Sequence, residues 1–346
     1  MPLAPPQGTA HGLRRFAWAC LRFAIGFGLL AYLTKSGIID LETLKRLSSS
    51  WPISLLAVAL MVVDVVMISL RLSWLLQPHG LHLPLGKSVQ LTFLSFFFTT
   101  FLPGSAGGVL AKLFYAAKEN EGRRTEIAAV VIFDRAVGLF SFLLLSLIFV
   151  PVFPHLVWSV VELRLLVLTV AVLAIGMLAA LGLILLDRSG AHRLLRKALG
   201  WLPWKDLANR AIDAIAVYRG NSSALLAALG ASLLANFCVV CVAALALFVL
   251  APSSFSFRAL LVAPMGYIAN SLPLTPGGLG VGEGAFNSLF KLTGLGDGAD
   301  VLLCWRIWSI PISMVGLAYY LRGFGRSVHG RPGMGVTRSG ASDQAR

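Results

Sequence analysis

An apolar stretch cannot cross a bilayer as one helix when its centre reads Pro-Gly-Ser-Ala-Gly-Gly. Ser88 to Lys118 reads SVQLTFLSFFFTTFLPGSAGGVLAKLFYAAK, with LPGSAGG at Leu102 to Gly108. Proline removes a backbone donor and glycine weakens a helix. At membrane depth such a break persists only inside protein or against a wet cavity. The arm from Ser88 to Phe101 reaches about 21 Å at the α-helical rise, short of a hydrocarbon core of about 30 Å. The arm from Gly108 to Lys118 is shorter. The expectation is a re-entrant hairpin that turns at LPGSAGG and leaves on the side it entered.

A second such stretch runs from Ala259 to Gly294, with its turn at PLTPGGLGVGE, Pro273 to Glu283. Superposing Pro103 on Pro276 puts Gly104 on Gly277 and Gly107 on Gly280. Asp134 and Arg135 follow Pro103 by 31 and 32 residues, and Arg306 follows Pro276 by 30. Each hairpin is therefore followed, at nearly one spacing, by an apolar segment that carries charge. Internal repeats with interrupted segments are a mark of transporters.

Of the 346 residues, 57% are hydrophobic and 13% charged, about half the charged share of a soluble domain. The class is an all-α polytopic membrane protein. A net charge of +14 does not point to nucleic acid, because the basic residues cluster in loops, where they set topology. Cys20, Cys238, Cys241 and Cys304 all fall in apolar segments. They read as buried small residues, with nothing to indicate disulfides or a metal site.

In chain order, residues 1–15 form a Pro/Gly-rich arm expected to be disordered. Six full spans are expected, at Phe16–Leu33, Ile53–Leu76, Glu126–Val150, Leu165–Leu186, Ser223–Leu250 and Val301–Leu321. The first is read as a retained helix in preference to a signal peptide, since no clean small-residue cleavage site follows. Lys35–Ser50 and Pro151–Arg164 are read as loops, and Arg71 as the start of a basic loop reaching to Lys87. The connector 187–221 mixes arginine and lysine with Leu, Trp201 and Trp204. It fits an amphipathic element on the membrane surface and equally a plain basic loop. Residues 323–346 are a basic tail, also expected to be disordered.

Placing the basic loops inside puts both termini in the cytoplasm of a bacterial inner membrane, provided neither hairpin crosses. The membrane domain, 16–322, then holds two repeats, about 51–150 and 223–321. Their hairpins enter from opposite sides as an inverted-topology repeat, the architecture that supports alternating access.

Three kinds of residue could act on a substrate. Gly104, Gly107, Gly108, Gly277, Gly278 and Gly280 lie where each second hairpin arm begins. A helix N-terminus offers free N–H groups there for an anion; the same glycines could serve tight turning alone. Lys112 adds positive charge one turn on. Asp64, Asp134, Arg135, Glu283 and Arg306 are charges in apolar segments, which usually face the interior and pair. Their signs allow Glu283 with Arg306, or Asp134 with Lys112. Asp64 is the candidate for proton coupling, as a lone buried carboxylate able to gain and lose a proton.

An enzyme is disfavoured. Gly104-Ser105-Ala106-Gly107 has a serine-protease flavour, yet all six histidines fall in expected loops or tails, so no Ser-His pair forms within the membrane. No nucleotide-binding loop and no metal-ligand cluster occurs, and no cofactor is expected.

LPGSAGGVLAK (Leu102–Lys112), FDRAVGL (Phe133–Leu139) and LTPGGLGVGE (Leu274–Glu283), in this order, resemble the lysylphosphatidylglycerol synthase transmembrane-region family, also called flippase-like. The resemblance covers roughly Phe16 to Arg322. It implies a lipid flippase, with membrane lipids bearing an anionic or phosphate headgroup as partners. It also implies a stand-alone member, the chain having no room for the family's soluble aminoacyl-transferase domain. By position, Pro103, Gly104, Gly107, Gly108 and Lys112 match the first turn. Asp134 and Arg135 match the next helix, and Pro276, Gly277, Gly278, Gly280 and Glu283 the second turn. Val109 stands where one branch has aspartate and Gly282 where many members have arginine, so headgroup identity does not carry over. The other function class is a non-transporting accessory subunit that holds a lipid-modifying or glycosyl-transferring enzyme.

Overall fold

The computed structural model describes residues 41–101, 107–186, 205–272 and 280–322, except residues 82 and 121. Among the described residues the regular structure is entirely helical. The α-helices in chain order are α1 (Leu41–Ser49), α2 (Trp51–Leu76), α3 (Leu85–Phe101), α4 (Gly107–Glu119), α5 (Arg124–Phe149), α6 (Pro154–Ser159), α7 (Val161–Leu186), α8 (Lys205–Ala216), α9 (Ser222–Leu250), α10 (Ala259–Ser271), α11 (Val281–Leu292) and α12 (Gly298–Leu321). Among them α2, α5, α7, α9 and α12 are long and apolar enough to cross a membrane. The protein is an all-α polytopic membrane protein. The expected span Phe16–Leu33, residues 102–106 and 273–279 of the two hairpin turns, residues 187–204 of the connector and the terminal segments lie outside the described residues.

α2 and α9 form the centre, and they pack on each other closely. α9 turns Ala228, Ala231, Ala235, Ala243 and Ala246 inward, all buried. Small side chains let helix backbones approach where no hydrophobic effect drives association. Hydrogen bonds at both ends fix their antiparallel sense. Arg46 Nη1 donates to the Leu250 carbonyl over 2.8 Å. Tyr218 Oη donates to the Leu75 carbonyl over 2.6 Å. Burial pushes the Tyr218 phenol above its ordinary range, so it stays a donor.

The short helices come in two packed pairs, α3 with α4 and α10 with α11. α3, the longest at 17 residues, spans about 25 Å. In each pair an arginine ties the outer ends together. Arg123 Nη2, just after α4, donates to the His79 carbonyl just before α3, over 2.7 Å. Arg258 Nη1, just before α10, donates to the Thr293 carbonyl just after α11, over 3.3 Å. The first pair starts and finishes at the Tyr218 end, where the His79 and Tyr218 rings meet edge to face. The second does so at the opposite end, close after Leu250.

Other contacts exchange partners between the halves. α3 packs on α12 and α10 on α5, while α5 packs on α9 and α12 on α2. The approach of α3 to α12 is close enough that a Cβ at Gly316 would run into the Phe93 carbonyl. α7 packs on α5 at the edge of this core, burying Leu163, Val167, Val170 and Ala174 on one face, while Val172 is 69% and Ile175 66% exposed on the other, as suits a helix half facing lipid.

Several expected boundaries are corrected. Lys35–Ser50 contains α1, and Pro151–Arg164 contains α6 and the first turn of α7. Arg71 is not in a loop: it lies within α2 and is 5% exposed. Lys112, expected one turn into the second hairpin arm, is on α4 and only 8% exposed. Both sit in wide apolar runs whose hydropathy does not reveal which way a cation points.

Candidate functional site

A cavity of about 330 Å³ lies where α2, α3, α4, α5, α9, α10 and α12 converge. Asp64 and Arg71, two helical turns apart on α2, share the face that meets it. Asp134 on α5 takes up two cations. Arg71 Nε donates to its Oδ1 over 2.6 Å, and Lys112 Nζ lies 3.5 Å from Oδ2. All three side chains are at least nine-tenths buried. Charges in this setting persist only when paired and hydrogen-bonded.

Polar groups on α5 and α9 hold the guanidinium from behind. Arg71 Nη1 donates to Ser232 Oγ on α9 over 2.8 Å. Ser232 and Ser141 hydroxyls are 2.7 Å apart. Asn236 Nδ2 donates to Ser141 Oγ and to the Gly138 carbonyl. Gly138 leaves the space: a Cβ there would stand 3.1 Å from Arg71 Nη1.

The other charges gather around the second pair of short helices. Arg306 Nη2 on α12 lies 2.8 Å from Glu283 Oε1 and donates to Asn270 Oδ1 over 3.4 Å. Glu283 Oε2 accepts from the Gly280 N–H over 2.7 Å, the carboxylate half of a capping box at the start of α11, which Gly280 has no side chain to complete. Arg135 Nη2 donates to the Ser271 carbonyl over 2.7 Å, placing a cation at the negative end of α10. Neighbouring residues of α5 therefore hold both short pairs, Asp134 through Lys112 and Arg135 through Ser271.

Asp64, Lys112, Asp134, Arg135 and Arg306 all line the cavity, and both expected ion pairs, Glu283 with Arg306 and Asp134 with Lys112, are present. Glu283 touches the cavity through Arg306. The glycines behave differently. Gly104, Gly277 and Gly278 lie outside the described residues. Gly107 and Gly108 are buried off the cavity lining. The Gly108 carbonyl accepts from Ser95 Oγ over 2.8 Å, and a Cβ there would collide with Thr99 and Ser95. Gly280, at φ 82°, spends its N–H on Glu283, so that donor does not await an anion.

Sequence reasoning missed Arg71, the most buried of the site's cations. Its signal was present: it lies seven residues from Asp64, on one helical face. It also missed Asn236, Asn270 and Trp305, which line the cavity. The Trp305 indole N–H is buried with no partner among the described residues.

The lysylphosphatidylglycerol synthase TM region matches residues 20–316. The chain belongs to this family. No curated protein and no solved structure matches it. The match takes in every described cavity residue and both pairs of short helices. As a lysylphosphatidylglycerol synthase TM region the chain is an integral membrane protein with a lipid-related role.

Proposed function

We propose that the chain is a lipid transporter that carries an anionic or polar-headed lipid between leaflets and does no chemistry on it. The observation that carries this is a cavity deep among the spanning helices, lined by Arg71, Lys112, Arg135 and Arg306 against Asp64 and Asp134. Its volume is at the low end for ligand pockets. It suits a headgroup alone, with the acyl chains left in lipid.

Helix directions support an inverted repeat. α2, the α3–α4 pair and α5 correspond to α9, the α10–α11 pair and α12 run the other way. Arg123 and Arg258 each tie a pair's ends together, as in a re-entrant hairpin. Lys87, Lys118, Arg123, Arg124, Arg219 and Arg322 gather at the Tyr218 end, which the positive-inside rule assigns to the cytoplasm. Both termini then lie inside, in a bacterial inner membrane. No histidine lines the cavity among the described residues, which favours binding over hydrolysis.

Reconstitution into liposomes with fluorescent phospholipids and polyprenyl phosphates, read by a leaflet-selective quencher, tests this. The expected result is protein-dependent exchange of one headgroup class, lost in Glu283→Gln. Folded protein that exchanges no lipid overturns transport and leaves the accessory-subunit function.

A further inference from the structure

Resting on that reading, we propose that the site takes up one proton with each anionic headgroup, and that Asp64 receives it. With Asp64 ionised, the buried charges lining the cavity balance without a ligand, Arg135 being exposed and held by the Ser271 carbonyl. Asp64 and Asp134 carry two negative charges, Arg71 and Lys112 two positive, and all four are 3–8% exposed. Glu283 and Arg306 neutralise each other. A phosphodiester that reaches Arg71 or Lys112 thus brings an unbalanced charge into a poorly solvated space, where an unpaired ion is strongly disfavoured. One arriving proton removes the imbalance.

The hydrogen bonds say which carboxylate takes it. Both oxygens of Asp134 are engaged, by Arg71 and Lys112. Asp64 makes no hydrogen bond or ion pair among the described residues, yet it lines the same cavity. The groups around it are Arg71 on its own helix, Lys112 on α4, Asp134 and Arg135 on α5, Cys238 on α9, Tyr267 on α10 and Arg306 on α12. α3 presents only hydroxyls and phenylalanine to the cavity, and α1 presents nothing. Tyr267 Oη donates to the Val239 carbonyl and so does not serve Asp64. A proton from the aqueous phase joins the Asp64 carboxylate as the lipid binds and returns to water as it leaves. A proton gradient then biases the direction of transport.

Binding of short-chain phosphodiester lipids, whose charge is constant through the neutral range, tests this in detergent across pH. With phosphatidylglycerol as the first probe, the wild-type affinity is expected to fall about tenfold per pH unit where free Asp64 is ionised. Calorimetry in buffers of different ionisation enthalpy is expected to show uptake of about one proton per lipid. Asp64→Asn is expected to bind with an affinity independent of pH. Wild-type binding that is flat with pH, or a slope retained in Asp64→Asn, overturns the coupling while leaving an anionic headgroup site intact. Proton uptake by the wild type decides the matter if Asp64→Asn does not fold. Binding that follows sodium at fixed pH overturns the proton as the compensating ion. No binding of any phosphodiester lipid at any pH overturns the anionic site and the coupling together.

Discussion

Single residues in this protein differ by how far water can replace a lost partner. Asp134 is 4% exposed in its side chain and answers both Arg71 and Lys112. Asp134→Asn leaves two buried cations facing a neutral amide, and breaking a buried pair from one side costs about 3–5 kcal/mol. A marked drop in the thermal midpoint of the detergent-solubilised protein is the expected outcome. Glu283 and Arg306 are 20–23% exposed, so solvent screens much of that pair. Glu283→Gln keeps an oxygen for the Gly280 N–H and retains the cap. Its midpoint is expected to move by no more than about 1 kcal/mol equivalent, with lipid exchange lost. A large loss of stability in Glu283→Gln would make the residue structural and remove it from the headgroup site.

Pairs of helices are held by close backbone approach where small residues permit it. The Phe93 carbonyl occupies the space a Cβ would take at Gly316. Gly316→Ala must push α3 from α12, and overpacking of this kind costs about 1–3 kcal/mol. Lowered stability with the cavity ions still in place is expected, together with slowed lipid exchange, because α3 and α12 both line the cavity. Gly176 on α7 has open space around it. Gly176→Ala is expected to hold or slightly raise stability, alanine being the better helix former, and to leave exchange unchanged, and thermal unfolding of the two variants side by side checks the contrast.

The whole molecule has two ends, and the proposed arrangement assigns loops to them. In a chain freed of its native cysteines, single cysteines at Gly80 and Gly122 are expected to react with an impermeant maleimide from the cytoplasmic side. Cysteines at Ser256 and Gly296 are expected to react from the other. Gly80 and Gly122 on opposite sides would show that α3 and α4 together cross the membrane. That result would remove the opposed hairpins from which alternating access is argued.

Much of this was legible in the chain, and for a definite reason. A hydrocarbon core of about 30 Å and the need to satisfy every backbone group within it leave a short menu. LPGSAGG and PLTPGGLGVGE could therefore be recognised as interruptions, and the apolar runs as spans, before any coordinates. Charges such as Asp134 and Glu283 announced themselves by their rarity, and opposite signs suggested their partners. Arg71 did not, because near the end of a span a cation is ordinarily a topology marker. Only the packing of α2 against α5 and α9 turns it inward to Asp134 and Ser232. The glycines misled in the other direction. Gly108 is spent on the contact with Ser95 and Thr99, and Gly280 on capping by Glu283. The sequence by itself determined the class, the five spans among the described residues and most of the costly charges, since these follow from the solvent. Which charges meet, and that they enclose a cavity with Asp64 lacking a partner among the described residues, was decided by the tertiary structure. Such pairings join residues as far apart as Arg71 and Ser232, and depend on which face each helix turns to its neighbours.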